Sequence, residues 1–477
     1  METTFSVMLS NMVEASGIGK NSFIKDLQID RSSFFKFLSG QRLPGEEQLG
    51  DILPLLHISA ADRRDLLQEY TRARDGERIY QCRKEVEKCF QILAEAGRAE
   101  ITDCCTKLHC HDSHYSETEI ISGAVRGREA IDELTYVLLE REFRSEAPEV
   151  DLFIPDTEES IYRDIRYLRR KYSSDNIRIR HLLRFPPGEV AHNSRIIQAF
   201  NNALRLMLSP VEGYKAWYYY DAAKSADRTG ALYPYYLFTK EAVLLYDYSV
   251  TECICIRDAA IINAMRSAYE RAIERSTPLT VEFKRFGRMY EYLDTAYNAC
   301  PSIDCSKQFS AESVVSERYI ERYMPEQFRE SAISHLKAVK AAAKDTKRVE
   351  YISMDGLRLF AEEGEFVEFP KGLFDTLEIK DRAECLRAVL KGLGKRFKIV
   401  DTRTVPIISD WHINLIEDKA LILRQYGSMR CCIIEEMNIV SAFTDALNSL
   451  GFTQCFVPEE EAARSLKELI DELEEKR

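Results

Sequence analysis

The chain has 477 residues, enough for roughly two to four domains. Hydrophobic residues make up 45% and charged residues 30%, the balance of a globular protein that buries a core. A net charge of −12 excludes coating of nucleic acid by the whole chain but leaves room for one local module. No apolar run reaches the ~18 residues of a spanning helix, so no membrane partner is expected. The start, Met1-Glu-Thr-Thr-Phe5, lacks the basic flank and apolar stretch of a secretory signal. Thirteen cysteines, an odd number, sit mostly beside Ile, Leu or Val. They read as reduced thiols acting as small core hydrophobes, which points to the cytoplasm.

In chain order, Phe5, Met8, Leu9, Met12 and Val13 give a first helix over 5–16, stopped by Gly17 and Gly19. Asn21 is a candidate N-cap for a short second helix carrying Phe23, Ile24 and Leu27. Gln28-Ile29-Asp30 makes a tight turn, and Asp30 caps a third helix from Arg31 to Ser39. That helix buries Phe34, Phe37 and Leu38 and exposes Arg31, Ser32, Ser33, Phe35 and Lys36. Gly40 ends it. Leu49, Ile52, Leu53 and Leu56 define a fourth helix, and Leu66, Leu67 and Tyr70 a fifth. From Ile18 to Arg42 five basic residues face two acidic ones, whereas residues 1–84 carry twelve of each sign.

Two short helices across a tight turn, inside a five-helix unit, meet the requirement of a helix-turn-helix. The stretch Ile29-Asp-Arg-Ser-Ser-Phe-Phe-Lys-Phe-Leu-Ser-Gly-Gln-Arg42 resembles the phage-repressor-type (XRE/Cro-like) family. There a buried aliphatic opens the turn, small polar residues begin the recognition helix, and a Ser-Gly-basic-Arg run follows. The resemblance implies that Arg31, Ser32, Ser33 and Lys36 face base edges in the major groove. It also implies that Asn21, Gln41 and Arg42 hold phosphates, which fix register without reading sequence. Asn21 stands where the family has Gln, and Gln41 where it has a basic residue.

Residues 77–97 read as further helix. Between Cys104 and His114 lie three cysteines (Cys104, Cys105, Cys110) and three histidines (His109, His111, His114). Zinc would take such ligands, but the spacing lacks two separated pairs; a loop with free thiols and surface imidazoles is the simpler expectation, with no metal and no cofactor. Beyond it the chain alternates. Residues 119–121 are strand-like and 127–142 helical. A strand over 150–154 precedes a helix capped by Thr157, and Ile177–Leu183 alternates as a strand. A helix over 196–208 leads to strands near 214–220, 235–247 and 252–257, then a helix over 258–276. This order implies an α/β fold.

Leu237 to Ala264 recurs near the C-terminus. Ala242, Leu245 and Tyr248 match Ala420, Leu423 and Tyr426 at a constant offset of 178, and Cys253–Ile256 matches Cys431–Ile434. The expected organisation is therefore a head over 1–75, a helical linker over 76–114, and two α/β halves over 115–285 and 286–477. The first half, through Ile121-Ser-Gly-Ala-Val-Arg-Gly127, Asp151-Leu-Phe-Ile-Pro155 and the Ile177-Arg-Ile-Arg strand, resembles the phospholipase-D-like sensor domain fused to helix-turn-helix modules in some prokaryotic regulators. The active form of that fold needs His-x-Lys-x4-Asp twice. Only His335-Leu-Lys337 begins the pattern, and Ala342 stands where Asp belongs, so the fold is expected without its catalysis. His335 reads as a surface histidine of an amphipathic helix. Tyr218–Tyr220 and Tyr233–Tyr236 read as in-and-out packing on a sheet. Glu459–Arg477 reads as a charged surface helix with an apolar stripe, open to a dimer contact.

The sequence thus points to a multidomain protein: an all-α lambda-repressor-like head followed by a duplicated α/β domain. The function expected is a homodimeric, sequence-specific regulator of transcription with double-stranded DNA as partner and a small-molecule effector. The rivals are a phosphodiesterase-like enzyme and an interaction scaffold.

Overall fold

The computed structural model describes residues 3–96, 122–172, 176–186, 193–209, 213–221, 232–281, 300–342, 347–369, 372–427, 430–450 and 455–475. The Cys104–His114 cluster, the strand expected over 119–121 and the two later domain boundaries, 114/115 and 285/286, lie outside them.

The head begins with α1 (Thr4–Ala15), α2 (Lys20–Asp26), α3 (Arg31–Leu38), α4 (Glu46–Leu55) and α5 (Ala60–Asp75). Each contributes a stripe at helical spacing to one core, including Phe5, Leu9, Phe23, Phe34, Phe37 and Ile52. Burying each such side chain contributes about 1.5–3 kcal/mol. Asn21 is not the cap of α2. Gly19 holds the extended backbone of the cap and the helix starts at Lys20, leaving Asn21 in the first turn. The turn to α3 passes through Gln28 in the left-handed region (φ 51°).

After Gly76 the chain enters α6 (Glu77–Ala96). Its buried face (Val86, Cys89, Phe90, Leu93) belongs to a core that also holds residues of both sheets.

The first sheet has the order β1-β7-β6-β5-β2-β3-β4-β8. Its members are β1 (Gly123–Arg126), β2 (Glu149–Phe153), β3 (Arg178–Phe185), β4 (Tyr214–Tyr220), β5 (Tyr235–Phe238), β6 (Val243–Tyr246), β7 (Glu252–Ile256) and β8 (Thr277–Pro278). The helices between them are α7 (Arg128–Phe143), α8 (Glu159–Tyr172), α9 (Ser194–Met207) and α10 (Ala259–Glu274). Helix α8 starts two residues beyond the expected Thr157 cap. The single strand expected over 235–247 is a hairpin: the Thr239 hydroxyl accepts from Ala242 N at 3.2 Å and reverses the chain. Tyr219, Tyr235 and Tyr236 pack around Phe153 with ring centroids 5.0–6.3 Å apart, as expected of a packed sheet face.

The second sheet has the order β11-β10-β9-β12-β13-β14. Its members are β9 (Ser302–Cys305), β10 (Arg348–Ser353), β11 (Phe397–Val400), β12 (Trp411–Ile416), β13 (Ala420–Gln425) and β14 (Cys431–Ile434). Read strand for strand, β4-β3-β2-β5-β6-β7 of the first sheet has the same order and the same parallel or antiparallel sense at every pair. The repeat extends to register. Val243 faces Ile256 and Leu421 faces Ile434, both displaced by 178.

Between the sheets lies a helix layer of α6, α9 and the helix Met437–Ser449, where Phe443 meets Phe90 at 5.7 Å and Phe200 at 6.2 Å. The last helix, Glu459–Glu475, is not an open stripe. Ala462, Leu466, Ile470 and Leu473 are buried in the core that also holds residues of the helices Met354–Glu363 and Ile379–Gly392, so the expected dimer surface is used inside the chain.

Candidate nucleic-acid interface and a pocket over buried charges

Helix α3 is set by its cap. The Asp30 carboxylate accepts from Ser33 N at 2.9 Å and from the Ser32 hydroxyl at 2.7 Å. The Ser32 hydroxyl and the Ser33 backbone hold that carboxyl below its ordinary value. One face of the helix is nailed down by Phe34 and Phe37, both fully buried, with Phe34 stacked on Phe23 at 5.8 Å. The opposite face presents Arg31, Ser32, Phe35 and Lys36 to solvent, with the Arg31 guanidinium 5.7 Å from the Phe35 ring centroid.

Gln41 N and Arg42 N both donate to Lys36 O, at 3.0 and 3.2 Å, which folds the chain back along the end of α3 with both side chains exposed. The Tyr70 hydroxyl donates to Pro44 O at 2.7 Å and anchors that loop to α5. Of the residues expected to meet DNA, Asn21, Arg31, Ser32, Lys36, Gln41 and Arg42 are exposed. Ser33 is half-buried, and the Ser32 hydroxyl is committed as a donor to Asp30, which leaves it only acceptor capacity outward.

A second site lies on one face of the second sheet. A cavity of about 360 Å³ opens between the helices Ala311–Val314, Glu317–Tyr323 and Glu326–Ala342 and the side chains of Phe369, Leu373 and Phe374. Phe328, Ala332, His335 and Leu336 line it from one helix at the spacing of a single stripe. His335 is therefore turned inward, its side chain 11% exposed, where a surface imidazole was expected. Its Nε2 lies 2.7 Å from Glu312 Oε1. Lys337, two residues on, points elsewhere and pairs with Glu317 at 3.2 Å, so the two do not form a joint phosphate site.

Beneath the cavity runs a chain of buried charges. Arg348 donates to Glu312 Oε2 at 3.1 Å and, through Nε, to Asp304 Oδ2 at 3.0 Å. Asp304 Oδ1 contacts His412 Nε2 at 3.2 Å and accepts from Asn414. Arg424 donates to His412 Nδ1 at 2.8 Å and lies 3.8 Å from Glu368 Oε2. An imidazole that accepts at Nδ1 is neutral there and donates from Nε2. Burial, then the Arg424 charge, pushes the pKa of His412 down. Burial alone would raise Asp304 and Glu312, but Arg348 and the histidines outweigh it and both carboxyls are lowered. Glu368 differs. Burial pushes it up to about 7 against the pull of Arg424, and its Oε1 accepts from Ala311 N at 2.5 Å.

No family model matches the sequence, and no curated protein matches it. Among solved structures, an archaeal chromatin protein, TrmBL2, whose structure shows a novel mode of DNA binding, aligns with this chain at 12% identity and a TM-score of 0.23. The alignment covers 48% of this chain and 71% of that one. A superposition at that level carries neither fold nor function across.

Among the described residues no group of three or more His, Cys, Asp or Glu side chains could hold a metal, and no helix is long and apolar enough to cross a membrane. Nine of the described cysteines, from Cys82 to Cys432, carry free thiols. In the first half His181 is enclosed by the hydroxyls of Tyr162 (3.2 Å) and Tyr214 (2.8 Å), and burial pushes its pKa down to about 3. It is a neutral core histidine. Sequence reading missed the pocket because Glu312, Glu368 and Arg424 are lone charges in the chain and only the fold gathers them.

Proposed function

We propose that the chain is a sequence-specific DNA-binding regulator of transcription. Its head is a phage-repressor-type helix-turn-helix, and its body is a duplicated, phospholipase-D-like sensor without catalysis. The observation that carries the reading is the two-sidedness of α3. Phe34 and Phe37 fix one side while Arg31, Ser32 and Lys36 stand exposed on the other. Such a helix can enter a major groove, with Gln41, Arg42 and Asn21 placed to meet phosphates. The active form is a cytoplasmic homodimer, because two half-sites multiply the affinity that one small head provides.

The non-enzymatic reading of the body rests on His335, held by Glu312 while Lys337 pairs away from it. The test is selection of bound fragments from the parent genome by the full chain, then anisotropy titration at two salt concentrations. A shared motif and a falling log K with log salt are expected. Absence of any enriched sequence sinks the regulator reading and favours a protein-contact head.

A further inference from the structure

We propose that the cavity above the buried charges binds an amphipathic amine, with its ammonium between Glu368 and Glu312 and its hydrocarbon part against Phe328, Phe369 and Phe374. The inference deepens the sensor part of the proposed function and is independent of its DNA-binding part.

Size and lining come first. A cavity of about 360 Å³ is within the range of small-molecule sites. Its walls are apolar, from Val315, Ile320, Met324 and Leu336 to the aromatic rings. Phe369 and Phe374 stack with centroids 5.7 Å apart, and Phe328 is 43% exposed at the rim. Aromatic faces attract a cation as well as a hydrocarbon.

Charge selects the head group. Asp304, Glu312, Glu350 and Glu368 lie among the guanidiniums of Arg348, Arg396 and Arg424. Asp304 and Glu312 share Arg348, and Glu350 takes Arg396 at 3.2 Å. Glu368 has Arg424 only at 3.8 Å, while Arg424 spends a closer contact on His412. Glu368 is the carboxylate at the cavity wall whose guanidinium partner stands farthest off. An ammonium between it and Glu312 would meet two carboxylates. An anionic ligand would add a further negative charge beside two carboxylates, and a neutral one would leave Glu368 with only Ala311 N and the more distant Arg424. The carboxyl of Glu368, raised by burial, fits a group that awaits a cation.

The experiment is calorimetric titration of the full chain, without DNA, with three probes that share one tail: phenylbutylamine, phenylbutanol and phenylbutyrate. The amine is expected to bind roughly tenfold or more tightly than either other probe. E368Q keeps the acceptor for Ala311 N and should remove that preference while still binding the alcohol. A332F, which fills the cavity, should abolish binding of all three, with thermal melts confirming that both variants fold. Equal affinities, tighter binding of the acid, no binding of any probe, or amine binding untouched by both variants overturns the proposal. Fragment selection on the same preparation reads the DNA-binding part separately, so failure of one is distinguishable from failure of the other.

Discussion

Arg83 grips both oxygens of Asp445, Nε to Oδ2 at 2.6 Å and Nη2 to Oδ1 at 2.9 Å, and its Nη1 donates to Asp75 at 2.5 Å. One guanidinium therefore joins the end of α5 in the head to α6 and to the helix Met437–Ser449 of the second half. The fork geometry suits two carboxylates at once, and Arg83 is only 15% exposed.

Asp445→Ala should leave Arg83 with half its partners in a poorly hydrated place. The expected cost is about 1–3 kcal/mol. It should show as a lower urea midpoint and as faster hydrogen exchange in α6 and the end of α5. Unchanged exchange in both segments would mean that the apolar core alone joins head and body.

Arg31 and Arg42 should separate reading from holding. Arg31→Ala is expected to weaken a selected site by about 1–3 kcal/mol and to leave random DNA nearly unaffected. Arg42→Ala should weaken every DNA and reduce the salt slope by about one. Anisotropy on selected and scrambled duplexes distinguishes them. If both variants bind every duplex as the wild type does, the groove assignment fails.

Gly356 marks a close backbone approach. A Cβ there would lie 1.8 Å from Lys307 O, and Ser353 Oγ bridges the same two strands of chain, donating to Lys307 O and accepting from Gly356 N, each at 3.0 Å. Gly356→Ala should therefore push back the segment that leads into the pocket wall at Ala311, at a cost of about 2–3 kcal/mol. A melting temperature within error of the wild type would show that this segment yields freely.

What the sequence makes legible follows from what kind of pattern each feature has. Phe34 and Phe37 alternate with Arg31, Ser32 and Lys36 at helical spacing, so the two faces of α3 can be read in eight residues. The 178-residue repeat is likewise a pattern in apolar spacing, and the sheet order and register bear it out. Caps are subtler. Asn21 is a good capping residue, but Gly19 already holds the extended conformation, so the helix starts earlier. The hairpin at Thr239 hides in an apolar run because a side-chain hydroxyl, not Gly or Pro, turns it. The pocket is least legible. Glu312, His335, Glu368 and Arg424 come from four separate elements, and nothing in the spacing of single charges shows that they meet.

Glu368 should leave a mark on the pH dependence of stability. Its ordinary value is 4.5 and burial pushes it up to about 7. Between those values the folded chain holds a proton that the unfolded chain has released. The stabilisation is therefore complete below pH 4.5 and is lost as pH rises through about 7. With the side chain 10% exposed, the slope it contributes is on the order of 1 kcal/mol per pH unit at most. Glu368→Gln removes the titrating group and keeps the acceptor for Ala311 N, so its stability curve should be flatter than the wild type's from about pH 5 to about pH 7. Saturating phenylbutylamine should flatten the wild-type curve in the same window, because an ammonium favours the ionised carboxylate in the folded state. Parallel curves for variant and wild type across that window would show that Glu368 does not hold its proton into that range.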